Sequence, residues 1–168
     1  MNSTELNTYF NNIDWKKLVV SILICNVAGL AGLFFTMPLV FGWYESLVRP
    51  SFVPPNEVFG TAWSVLYILM GISLYLVWEK GWSERKVKVA MGFFGIQLFL
   101  NFLWPVLFFG MQSLVLGLVD VILLWFAILV TIRYFYAISK KAALLLVPYI
   151  MWVSFAVIMN YYFVILNP

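Results

Sequence analysis

Five long apolar runs divide the chain, at residues 18–41, 58–78, 88–108, 114–136 and 143–166. Short polar stretches separate them. Each run holds 21–24 residues, and about 20 apolar residues suffice for a helix to cross a bilayer core of about 30 Å. The pattern predicts an all-α integral membrane bundle of five transmembrane helices. Residues 1–17 read as a short polar N-terminal segment and 18–168 as a single membrane domain. The first run is too long for the core of a cleaved signal, which spans about 7–15 residues.

The connections differ in kind. Residues 110–113 form a tight turn, so spans 3 and 4 make an antiparallel hairpin, with Ser113 as N-cap of span 4. The stretch 42–57 is long and carries Pro50, Pro54 and Pro55. Proline fixes φ and lowers the entropy of a loop, so this segment is stiff. It reads as a lid-like loop, or as a plain connector in which Trp43 and Tyr44 anchor the membrane interface. No internal repeat is visible, and five spans do not halve, which counts against an inverted-repeat transporter.

Composition supports the membrane reading. Hydrophobic residues make up 64% and charged residues 10%, where a soluble domain carries about 25% charged residues. Too little charge is present to cover a soluble surface, and the hydrophobicity excludes disorder. Histidine is absent and Cys25 is the one cysteine. That excludes histidine triads, imidazole metal sites, histidine-ligated haem and an intrachain disulfide.

The charges orient the bundle. With five spans, one side receives Lys16, Lys17, Lys80, Arg85, Lys86, Lys88, Arg133, Lys140 and Lys141, and the other receives Arg49 alone. The positive-inside rule then places the N-terminus inside and the C-terminus outside. The net charge of +3 reflects topology and not a nucleic-acid surface. A prokaryotic cell membrane is the expected location.

Polar groups inside spans are costly and mark sites or interhelical glue. Asp120 lies within span 4, Gln97 and Asn101 share a face of span 3, and Asn160 lies on span 5. Counted from the outer helix ends, Trp63, Asn101, Trp104, Asp120 and Asn160 fall roughly 6–10 Å deep. On span 5, Trp152, Ala156 and Asn160 follow one face, and a small residue between an indole and an amide leaves room for a flat molecule. Trp63, Tyr67 and Gly71 repeat the pattern on span 2. Pro105 disturbs the helix near the carbonyl of Asn101. Trp15, Trp43 and Trp82 flank spans and read as interfacial anchors, whereas Trp63, Trp104 and Trp152 read as chamber walls. No acid pair, phosphate loop, metal cluster or activated nucleophile is evident. Such a chamber suits a large, flat, apolar ligand, either a tetrapyrrole or a sterol. Without histidine, a free-base porphyrin fits better than haem, though Met or Tyr remain as axial ligands. No cofactor is required and no metal site is expected.

Several motifs then converge. Trp43, Tyr44, Leu47, Pro50, Ser51, Phe52, Pro54 and Pro55 resemble the outer loop of the translocator protein family, also called tryptophan-rich sensory proteins (TspO/MBR). Phe59, Gly60, Trp63, Leu66, Tyr67, Met70 and Gly71 continue the likeness on span 2. Gln97, Asn101, Trp104, Phe108 and Phe109 do so on span 3, Asp120 on span 4, and Pro148, Tyr149, Trp152, Phe155, Ala156, Asn160 and Tyr161 on span 5. The resemblance implies a five-helix fold, a homodimer, and a ligand pocket under the first loop that binds porphyrins such as protoporphyrin IX. It makes Trp63 and Trp152 the tryptophans tied to porphyrin binding and to light-dependent breakdown. Tyr44, Asn101 and Ala156 match further pocket positions. Phe52 stands where many members have Trp, and no Lys or Arg follows Tyr161 and Tyr162 to complete the cholesterol motif of the mammalian proteins. Receptor, light-dependent enzyme and transporter remain open, with Asp120 as the coupling group in the last. Small residues offer close helix contacts, Cys25, Ala28, Gly29 and Gly32 on span 1 and Gly92 and Gly95 on span 3. Those of span 1 are expected to pack within one protomer.

Overall fold

The computed structural model describes residues 13–40 and 42–168, without the side chains of 38–40. The expected polar segment up to Asn12, and Phe41 at the expected end of span 1, lie outside the described residues. Those described form helices and connections, with no strand among them. Five helices are long and apolar enough to cross a membrane. They are α1 (Trp15–Val40), α2 (Asn56–Trp78), α3 (Arg85–Gly110), α4 (Leu114–Tyr136) and α5 (Lys140–Leu166). A single helical turn, Trp43–Ser46, sits in the connection between α1 and α2.

Four of the five begin earlier than the apolar runs suggest. α1 starts at Trp15 because Asp14 caps it: Asp14 Oδ1 accepts the Lys17 N–H at 3.1 Å, and its other oxygen pairs with Lys17 Nζ at 3.2 Å. α5 starts at Lys140, where Ser139 Oγ accepts the Ala142 N–H at 3.3 Å. α2 starts at Asn56 and α3 at Arg85. The helix continues through charged or polar first turns, whose long side chains reach water while their stems lie along apolar surface. Ser113 caps α4 as expected, its Oγ accepting the Leu116 N–H at 3.3 Å.

Two irregularities shape the bundle. α3 stays α-helical through Pro105 and then widens into a π-turn over Val106–Gly110. The Met111 N–H reaches back five residues to Val106 O at 2.8 Å. The disturbance expected at the Asn101 carbonyl thus appears on the C-terminal side of the proline. α5 is divided at Leu146 into Lys140–Leu145 and Val147–Leu166. Pro148 has no N–H to continue the ladder across that joint.

α1 packs on α2 and α3, α3 on α4, α4 on α5, and the first part of α5 on α2. Glycines permit the α1 contacts. A Cβ on Gly71 would lie 2.5 Å from Ile22 Cα, one on Gly32 would lie 2.8 Å from Pro105 Cγ, and one on Gly29 would enter the Tyr67 ring. The small residues Gly29 and Gly32 of α1 therefore serve packing within the protomer. Gly92 and Gly95 face open space instead. The outer face of α1 carries exposed Val19, Leu23, Val27, Leu30 and Phe34, as a lipid-facing helix requires. Nine of the ten lysines and arginines lie at one end of the bundle and Arg49 at the other.

Candidate functional site

Helical periodicity sets Gln97 and Asn101 on one face of α3, and both are buried. Buried amides need partners. Tyr67 Oη donates to Asn101 Oδ1 at 2.6 Å, Asn101 Nδ2 donates to Tyr149 Oη at 2.9 Å, and Tyr149 Oη donates to Gln97 Oε1 at 2.9 Å. One polar chain thus ties α2, α3 and α5. Gln97 Nε2 is buried at its end without a partner among the described residues.

Aromatic side chains lie against this chain. Trp63 stacks on Tyr67 at 5.5 Å between centroids and 27° between planes, and its ring meets the edge of Tyr149 at 6.2 Å. Across from α2, Trp152 meets Phe59 edge-on at 5.7 Å and lies 5.8 Å from Phe155. Trp63, Tyr67, Trp152 and Ala156 are only partly buried, although the amides behind them are inaccessible.

Other expected site residues serve different contacts. Trp104 Nε1 donates to Asn160 Oδ1 at 3.2 Å, and Asn160 Nδ2 donates to Ala156 O at 2.8 Å. With Trp104 stacked on Phe108 at 4.7 Å, this pair fastens α3 to α5. Asp120 joins neither set: both its carboxyl oxygens are buried without a hydrogen-bond partner among the described residues. Tyr44 sits in a separate cluster with Phe108, Phe109 and Phe163, at centroid distances of 5.6–6.3 Å. Burial pushes the Tyr44 hydroxyl above its ordinary range, and Arg49 partly offsets this. The Arg49 guanidinium lies 4.5 Å from the centre of the Tyr44 ring.

The proline-rich loop is tied down over this end of the bundle. Trp43 sets its ring against Phe108 and Phe109, so it packs inward where an interfacial anchor was expected. Phe52 meets Phe155 at 6.1 Å and Tyr162 at 5.2 Å, an aromatic contact between the loop and α5. Asn167 clamps the loop: its Oδ1 accepts the Val48 N–H at 2.8 Å and its Nδ2 donates to Val48 O at 3.0 Å.

Sequence reasoning did not assign Tyr149 or Asn167 to the site. Tyr149 precedes Trp152 by three residues and Ala156 by seven, so its face was a readable signal. Asn167 lies beyond the last apolar run, and nothing local marks its partner 119 residues away.

These features define a five-helix membrane protein with a partly open aromatic layer over a hydrogen-bonded floor. Residues 21–166 match the TspO/MBR family, and the chain belongs to that family. It is 49% identical over 152 residues to the tryptophan-rich protein TspO of Archaeoglobus fulgidus, covering 90% of this chain and 97% of that one. The translocator protein of Bos taurus is 35% identical over 148 residues, 88% of each chain. The tryptophan-rich sensory protein of Cereibacter sphaeroides is 30% identical over 150 residues, covering 89% of this chain and 90% of that one.

Proposed function

We propose that the protein is a membrane receptor for flat tetrapyrroles of the protoporphyrin IX type. The ligand lies between α2 and α5, beneath the 42–57 loop. The observation that carries this reading is the pairing of partly covered aromatics with a hydrogen-bonded polar floor. Trp63, Tyr67 and Trp152 offer ring surface for stacking, while Asn101 and Tyr149 hold the walls in place. The chain has no histidine, which favours a free base over haem. The names of the relatives, sensory protein and translocator protein, agree with a ligand-responsive role. The receptor is a homodimer in a prokaryotic cell membrane, with the nine-cation end inside. Titrating the purified protein with protoporphyrin IX gives saturable quenching of tryptophan fluorescence at micromolar ligand. Linear, unsaturable quenching counts against the reading.

Light-dependent breakdown of the bound porphyrin is a second reading, favoured by the Trp63–Tyr67 stack. In this reading the excited ring takes one electron from the Trp63 indole, which is stacked on the hydrogen-bonded Tyr67 phenol. That leaves an indole radical cation and a porphyrin radical anion, and dissolved dioxygen is the oxidant that consumes the reduced ring. Illumination then bleaches porphyrin faster in the wild type than in Trp63→Phe. Equal rates remove this reading and leave binding intact.

A further inference from the structure

Arg49 is the lone cation at its end of the bundle. Among the described residues the ion pairs are Lys17–Asp14 and Lys86–Glu84, and Arg49 belongs to neither. Its neighbours hold it in place. Val48 is clamped to Asn167 on one side, and Pro50 on the other is buried with its φ fixed. The guanidinium rests on the Tyr44 ring. A guanidinium arranged this way keeps its planar fork of donors while losing little further entropy on binding.

Beside it opens a cleft of about 330 Å³ lined by Arg49, Pro50, Val53, Pro54, Pro55 and Asn56. Three of these residues are prolines and provide no N–H. Donors come instead from Arg49, from the Asn56 amide and from the start of α2, a 23-residue helix whose N-cap Pro55 makes no side-chain cap. Orphan N–H groups at a helix start favour an anion. Glu45 and Glu57 share this end, so attraction comes from local fork geometry and not from a long-range positive field. Along α2, Asn56 precedes Phe59 by three residues and Trp63 by seven, so the cleft residue Asn56 stands about 10 Å above Trp63 along the helix axis.

We propose that this cleft is the carboxylate subsite of the ligand pocket, with Arg49 gripping an acid side arm of a flat amphiphile. The assignment rests on the tetrapyrrole reading given above. It makes Arg49 a specificity residue, selecting carboxylated tetrapyrroles over uncharged analogues of the same ring. The ring lies against Trp63 and Trp152, and the acid arm rises past Phe59 to the cleft.

The test compares protoporphyrin IX with its dimethyl ester as ligands for the wild type, Arg49→Gln and Arg49→Lys. Arg49 is exposed, and thermal melting of each variant checks that the fold is kept. The wild type binds the diacid about tenfold more tightly than the diester, as a charge-assisted contact at a partly wet site allows. Arg49→Gln abolishes this preference by weakening the diacid alone, and Arg49→Lys retains part of it. A folded Arg49→Gln protein that keeps the full preference overturns the subsite while leaving tetrapyrrole binding standing. Absence of saturable binding by either ligand in the wild type overturns both.

Discussion

Two groups of aromatic side chains meet α3 at different heights, and they are built on different terms. Near its C-terminal end, Tyr44, Phe108, Phe109 and Phe163 are each no more than 7% exposed and meet one another edge to face. Deeper, Trp63, Tyr67 and Trp152 are only partly covered, and the polar chain through Asn101 and Tyr149 lies behind them. The outer group has no unused ring surface. Its packing joins the loop, α3 and α5 into a fixed plug. The deeper group keeps apolar surface available over a rigid polar floor, which is the general character of a small-molecule site. Aromatic content alone does not distinguish the two. Coverage and the presence of a hydrogen-bonded polar layer do.

The two groups should respond differently to substitution. Phe108→Ala removes the centre of the plug, where the ring fits against Gly117. It should destabilise the protein by about 3–5 kcal/mol, read as a large drop in melting temperature in detergent. A loss below about 1 kcal/mol would show that the outer cluster is not close-packed. Tyr149→Phe strips the hydroxyl that joins Asn101 to Gln97. A loss of about 1–2 kcal/mol is expected, since interhelical hydrogen bonds in membranes are modest but a buried orphan is not free. Reversible unfolding in mixed detergent micelles measures it. Asn167→Ala releases the loop from α5. The global cost is about 1 kcal/mol or less, but amide exchange of Val48 should rise sharply while the α3 core stays protected. Unchanged exchange at Val48 would mean that the plug alone holds the loop.

The chain advertises its helices because hydrocarbon demands long apolar runs. It advertises their ends poorly, since Lys16, Arg85 and Lys140 belong to helical first turns yet interrupt the hydropathy signal. The face shared by Gln97 and Asn101 follows from the 3.6-residue period. Their partners do not, because Tyr67 and Tyr149 come from other helices, and which amide each meets is set by packing between helices. Pro105 signals a disturbance, but only the backbone reveals that it becomes a π-turn beyond the proline. Counting from the helix ends sets Trp104, Asp120 and Asn160 at similar expected depths. That Trp104 and Asn160 bind each other while Asp120 has no partner depends on tertiary packing alone.

The proposed site has Trp63 and Trp152 as its walls and not as structural filler. The equilibrium affinity for protoporphyrin IX in a Trp63→Phe, Trp152→Phe double variant tests this most directly. Phenylalanine keeps much of the packing, so the melting temperature should change little, while loss of both indole faces should weaken binding at least about tenfold. An unchanged dissociation constant in a folded double variant would contradict the central claim and return both indoles to the packing of the bundle.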